Sequence, residues 1–165
     1  MLYTSYYNSP LGTISLQSNE RALLGLDFVN EETELKIKRE DRSIREESKS
    51  KILLQTVKEL DEYFAGKRLK FTVPIYQEGT PFQVSVWKAL TTIPYGKVKS
   101  YLDIATQVGN SKAVRAVGMT NGKNPIAIIV PCHRVIGKNG KMVGYASGVW
   151  RKEWLLAHEK KVLGN

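Results

Sequence analysis

The residues that could do covalent chemistry are few, and they gather late in the 165-residue chain. Its single cysteine, Cys132, stands in Pro131-Cys132-His133-Arg134, directly after the apolar run 126–130. A thiol becomes a nucleophile where a neighbouring base or positive charge favours its thiolate. Here a proline fixes the chain on one side and an imidazole follows on the other. Consecutive side chains of a strand point to opposite faces, so His133 reaches the sulfur only through a bend at this site or through a water. Arg134, Arg115 and Lys152 would lower the thiol pKa if the fold brings them together. The competing expectation is an inert buried cysteine, the commonest state of a lone thiol.

A second clue lies near the C-terminus. On a helical wheel Glu159 falls between Leu155 and Leu156 and on the same arc as Val162. Its carboxylate therefore faces the apolar side, where an unpaired charge is costly. His133 is one candidate partner, and a Cys-His-Glu relay would make chemical sense. His158, toward Trp154 at the edge of that face, is a less suitable one, and a frayed helix end in water is the alternative. One cysteine excludes an intramolecular disulfide and any multi-cysteine zinc or iron–sulfur site.

The elements that must hold these residues divide near residue 75. Residues 1–75 carry 12 basic and 12 acidic side chains, whereas residues 76–165 carry 13 basic and 4 acidic, so the second part holds the whole net charge of +9. A neutral domain joined to a strongly basic one points to a polyanionic partner for the second, or to a basic surface kept for solubility. No apolar run is long enough to span a membrane, and the first eight residues lack the pattern of a signal peptide, so a soluble cytoplasmic protein is expected.

The first thirty residues alternate as strands broken at Ser9-Pro10-Leu11-Gly12 and Ser18-Asn19-Glu20, which predicts a three-stranded antiparallel meander. Residues 31–51, with seven acids and seven bases, read as an exposed connector or the solvated start of a helix. Ile52, Leu53, Val57, Leu60 and Phe64 then recur at helical spacing before Gly66. Residues 71–75 read as a short strand or linker. In the second part, Thr80-Pro81 starts a helix, and residues 101–108, Gly109-Asn110-Ser111 and residues 112–121 form a helix-turn-helix pattern with Ser111 as the second helix's N-cap. Residues 126–130 read as a short buried strand, residues 137–140 as a turn, and residues 149–162 as a last helix.

The second helix of the pair has a small face, Ala113, Ala116 and Gly118, with Lys112 and Arg115 as its basic residues. Such a face allows close backbone approach to DNA with one arginine free to insert, which favours shape-based minor-groove contact over base readout. It would equally let the helix pack against a neighbour.

The octamer Ile129-Val130-Pro131-Cys132-His133-Arg134-Val135-Ile136 resembles the active-site signature of the O6-alkylguanine-DNA alkyltransferases. Ile93-Pro94-Tyr95-Gly96, Ser100-Tyr101, Arg115-Ala116-Val117-Gly118, Asn124-Pro125, Gly144-Tyr145 and the run from Glu153 to Glu159 stand in the same order and spacing as in that family. The resemblance covers residues 80–160 strongly and residues 1–75 in outline. It implies an α/β two-domain protein, with a small ribonuclease H-like antiparallel sheet plus helix over 1–75 and a mainly helical winged-helix/helix-turn-helix domain over 76–165.

The implied activity is DNA repair by direct reversal, with base flipping. Cys132 would take the alkyl group from O6-alkylguanine, and from O4-alkylthymine, irreversibly and once per molecule. His133 would generate the thiolate through a water, with Glu159 orienting its ring. Tyr101 would help extrude the base and donate a proton toward guanine N3. Arg115 would enter the minor groove of double-stranded DNA, beside Lys112, Ala113, Ala116 and Gly118, and fill the gap in the stack. Asn124 would be a hinge. Val135, Tyr145, Ala146, Ser147 and Lys152 would form the substrate pocket, with Ala127 also bordering the alkyl group. The protein would act as a monomer without cofactor, and without the N-terminal zinc of some relatives, because residues 1–75 contain neither Cys nor His. A cysteine hydrolase would show multiple turnovers and an oxyanion hole; a non-catalytic helix-turn-helix regulator would need no thiol.

Overall fold

The computed structural model describes residues 1–39, 50–142 and 144–164. These fall into two compact units, the first ending at Tyr76 and the second beginning at Gln77. No helix of the described residues is long and apolar enough to cross a membrane.

The first unit is the expected meander: β1 (Tyr3–Ser9), β2 (Gly12–Ser18) and β3 (Leu23–Phe28), antiparallel in that order. Register runs from Tyr3 opposite Ser18 to Ser9 opposite Gly12, whose φ of 112° suits a glycine in the tight turn. Helix α1 (Glu31–Arg39) begins the charged segment, and the rest of that segment up to residue 49 lies outside the described residues. Helix α2 (Lys51–Phe64) starts at Ser50, whose side chain accepts from Leu53 N. Its Leu53, Leu60 and Tyr63 are fully buried, as are Ile14, Leu16, Leu23 and Leu26 of the sheet. Each such leucine contributes about 1.5–3 kcal/mol relative to exposure. Residues 71–75 form no strand; Ile75 makes a single parallel bridge to Leu23.

The second unit opens with α3 (Pro81–Thr91), which starts at Thr80-Pro81 as its sequence predicts; Thr80 accepts from Gln83 N, and the Gln83 side chain accepts in return from Thr80 N. A two-residue strand β4 (Lys99–Ser100) leads into α4 (Tyr101–Gln107), and α5 (Val114–Gly122) follows the turn. Gly109 takes φ 88° there, and a Cβ would meet nothing within 4 Å, so conformation rather than space favours glycine. The expected Ser111 cap is not made. Helix α5 begins two residues later than predicted, with Ala113 at the N-cap position and no side-chain bond; Asn110 closes the turn through its own carbonyl and side chain instead.

Residues 126–130 also depart from expectation. They form tight turns, with Val130 N donating to Ile126 O, Ile129 N to Ala127 O, and Ile128 at φ 69°. A continuous apolar run reports burial, and burial here comes from packing rather than from a sheet. Beyond them, β5 (Val135–Ile136) pairs in parallel with β4, and α6 (Val149–Val162) closes the unit. Val86, Leu90, Ile104, Val117, Ile126, Val130 and Leu155 fill its core.

Candidate active site

Cys132 opens a single 3-10 turn, Cys132–Arg134, rather than sitting on a strand. Pro131 enters it at φ −81° and ψ 64°, and Arg134 N closes the turn on Pro131 O at 2.9 Å. Two asparagines fix this backbone. Asn124 Nδ2 donates to Ile126 O and to Val130 O, while its Oδ1 accepts from Ile126 N and from Gln77 Nε2. Asn121, at the end of α5 and 2% exposed, donates to Cys132 O at 3.3 Å. The chain that carries the thiol is thus tied by side chains to the end of the helix-turn-helix.

His133 is completely buried, and its Nε2 lies 2.7 Å from Glu159 Oε2 on α6. The inward glutamate therefore meets the expected histidine, and His158 stacks on Trp154 instead. Burial alone would raise the Glu159 carboxyl, but hydrogen bonds and charge from His133 and Arg134 outweigh it and hold it well below the carboxylate range. An ionised carboxylate only accepts, so His133 Nε2 carries the proton. Its Nδ1 is buried and has no hydrogen-bond partner among the described residues. Burial also lowers the imidazole pKa, as do Arg134 and Lys152, against an upward pull from Glu159.

Arg134 is the residue that sequence reasoning placed least well. It does not add loose positive charge beside the thiol. Its Nε and Nη2 donate to the two oxygens of Glu159 at 2.8 and 3.0 Å, and its Nη1 donates to Ile93 O. Asn121 was missed altogether; a polar residue on the inner face of a short helix is its one sequence signal. Lys152 does approach as expected. It is fully buried on α6, donates to Val135 O, and lies 5.9 Å from the Tyr101 ring centre. Burial brings it down to about 8, with a smaller upward contribution from Cys132.

Tyr101, at the first position of α4, stands close to these groups. Burial raises its pKa, Cys132 raises it further, and Asn121 lowers it. A Cβ at Gly144 would lie 2.7 Å from the Tyr101 hydroxyl, and Gly144 has φ 73°, so both space and backbone demand glycine there. A Cβ at Gly118 would come no nearer than 3.9 Å to the same ring.

Two family models match the chain. The 6-O-methylguanine DNA methyltransferase ribonuclease-like domain covers residues 2–77, and the 6-O-methylguanine DNA methyltransferase DNA binding domain covers residues 81–161. A methylated-DNA–protein-cysteine methyltransferase of Methanosarcina barkeri is 45% identical over 162 residues, spanning 98% of this chain and 99% of the relative. The chain belongs to the 6-O-methylguanine DNA methyltransferase family. Among solved structures, the Mycobacterium tuberculosis O6-methylguanine methyltransferase superposes with a TM-score of 0.83 at 42% identity, covering 98% of this chain and 94% of that one. The Mycobacterium tuberculosis OGT in complex with DNA gives 0.80 at 41% identity, covering 95% and 92%.

Within this methyltransferase fold the other expected residues separate into two groups. Val135 and Tyr145 are buried, while Ser147 is half-buried and Ala146 exposed on the loop after Gly144. Lys112, Arg115 and Ala116 are exposed on α5, and Ala113 is half-buried. The small face is therefore divided: Gly118 turns toward Tyr101, and Ala116 turns to solvent. Arg115 is exposed and does not join the buried charges around Glu159, so of the three cations whose convergence would lower the thiol pKa, Lys152 is the one that acts on Cys132.

Proposed function

We propose that the protein repairs alkylated DNA by direct reversal, taking the alkyl group from O6 of guanine onto Cys132. The observation that carries this reading is the lone thiol on a 3-10 turn whose next residue, a buried imidazole, gives one nitrogen to an ionised glutamate. Nδ1 of His133 is then left to take the thiol proton through a water. The sulfur attacks the alkyl carbon, the carbon–oxygen bond breaks, and the electron pair passes into the purine. Tyr101 supplies a proton toward N3 as guanine leaves. A thioether is not hydrolysed in the cell, so each molecule acts once. O4-alkylthymine presents an equivalent oxygen and is a second substrate.

The partner is double-stranded DNA. Thiol attack requires the base outside the stack, and exposed Arg115 enters the minor groove to hold the gap, with Lys112, Ala113, Ala116 and Gly118 along the approach. Val135, Tyr145, Ala146 and Ser147 line the receiving pocket, with Lys152 behind it and Asn124 as the hinge. The domain over 1–75 gives structural support, and that over 76–165 carries DNA binding and transfer. The protein works as a monomer in the cytoplasm, where a free thiol stays reduced.

Incubation with duplex DNA carrying O6-methylguanine tests this reading. Intact mass should rise by one methyl group, peptide mapping should place it on Cys132, and Cys132→Ser should abolish it. A methyl on another residue, or none, contradicts the proposal.

A further inference from the structure

Glu159 is a shared carboxylate. Its Oε1 accepts from Arg134 Nε at 2.8 Å and from Gly96 N at 3.2 Å; its Oε2 accepts from His133 Nε2 at 2.7 Å and from Arg134 Nη2 at 3.0 Å. With the imidazole as its one charged partner, the carboxylate would favour the imidazolium form, which has no lone pair to accept a proton. Arg134 changes that balance. Its guanidinium keeps its charge at any working pH, and its fork engages both carboxylate oxygens. The third arm is anchored on Ile93 O at 2.8 Å, and the group lies 5.5 Å from the Tyr95 ring centre.

We infer that Arg134 is a positioning residue of the alkyl-transfer site, a fixed counter-charge that spends the Glu159 charge and so keeps His133 neutral, with Nδ1 free to act as the base. The inference rests on the reading in which His133 takes the Cys132 proton. Glu159 and Lys152 approach from α6, and Arg134 and Cys132 from the same 3-10 turn. Tyr95 stands behind, against Glu159 and Arg134. Among these, Glu159 favours the imidazolium, while burial, Arg134 and Lys152 oppose it. The guanidinium does not touch substrate in this account; it acts through the carboxylate on the imidazole.

The test is an NMR titration of the ring nitrogens of His133 in the full chain, for wild type, Arg134→Gln and Arg134→Lys. In wild type the ring should remain neutral, protonated on Nε2, to a pH below the ordinary histidine range. Arg134→Gln leaves the Glu159 charge to the imidazole, and its protonation equilibrium should shift about tenfold or more toward imidazolium. Arg134→Lys keeps the charge without the fork and should titrate like wild type. The rate of Cys132 alkylation by free O6-benzylguanine should fall toward acid pH sooner in Arg134→Gln than in the other two. An imidazolium in the wild type at pH 7 overturns the inference, even if neither variant folds. So does an Arg134→Gln ring that titrates as in wild type, or an Arg134→Lys ring shifted as far as Arg134→Gln. A neutral wild-type ring with the predicted shifts, in a protein that takes no alkyl group from guanine, supports the charge balance and overturns the alkyl-transfer reading instead.

Discussion

Glu59 in the first unit and Glu159 in the second are both buried carboxylates, 2% and 0% exposed, held below the usual carboxyl pKa against the pull of burial. The groups that hold them differ. Glu59 accepts from the backbone of Thr72 and Val73, from the Thr72 hydroxyl and from Gln55, at 2.6 to 3.2 Å. Its donors are mainly neutral and clip the chain after α2 back onto that helix. Glu159 accepts from an imidazole and a guanidinium beside the one thiol of the chain. Two glutamates of equal burial thus serve different ends. Neutral donors make a fastener; in the proposed function, a titratable donor next to the thiol makes a relay.

Replacing each glutamate separates these roles. Glu159→Gln leaves Arg134 buried without its counter-charge, which costs about 3–5 kcal/mol of stability. The same change should slow alkylation of Cys132 on O6-methylguanine DNA by about a hundredfold or more, since the base loses its orienting partner. Glu59→Gln should cost about 1–3 kcal/mol through mismatched buried donors and leave the alkylation rate nearly unchanged. Urea unfolding and single-turnover kinetics on both variants check the pair, and a large loss of rate in Glu59→Gln would erase the distinction.

Arg115→Ala sharpens the contrast between buried and exposed charge within the second unit. With no place in the Glu159 network, it should leave stability and reaction with free O6-benzylguanine unchanged. Repair of duplex DNA should fall about tenfold or more, because in the proposed function Arg115 takes the place of the flipped base in the stack. Equal losses on both substrates would remove its assigned role.

Titration gives the smallest effects. Both carboxyls lie lower in the folded state than in the unfolded chain, so their contribution is complete above about pH 5 and fades as acid reaches the lowered folded values. Acid unfolding of Glu59→Gln should therefore depend less steeply on pH than that of wild type. Lys152 gives the same sign of slope in a more alkaline range, because burial disfavours its charged form. Burial holds it at about 8, whereas the unfolded side chain titrates near 10.4. Between these values the unfolded chain binds the extra proton, so stability rises with pH, and Lys152→Met should lack that rise. Melting temperatures from pH 7 to 10 measure it.

Local patterns made much of this legible. Strand alternation with turns at Ser9-Pro10-Leu11-Gly12 and Ser18-Asn19-Glu20 marked the meander, Thr80-Pro81 marked the start of α3, and a helical wheel turned Glu159 inward toward a histidine that the sequence had already singled out. The features that failed depend on contacts distant in sequence. Arg134 meets Ile93, Tyr95 and Glu159 across 41, 39 and 25 positions, a convergence no spacing rule reports. The apolar run at 126–130 could not distinguish a buried strand from buried turns, since both exclude water. Asn121 and Glu59 each look like an ordinary polar residue on a helix until the segment that covers them is in place.

A titration of O6-methylguanine duplex DNA against a fixed amount of protein tests the central claim most directly. Methyl transfer should saturate at one group per molecule, all of it as a thioether on Cys132, with the guanine restored and no further reaction on adding more DNA. Continued turnover past one equivalent, or saturation without methyl on Cys132, would contradict the account.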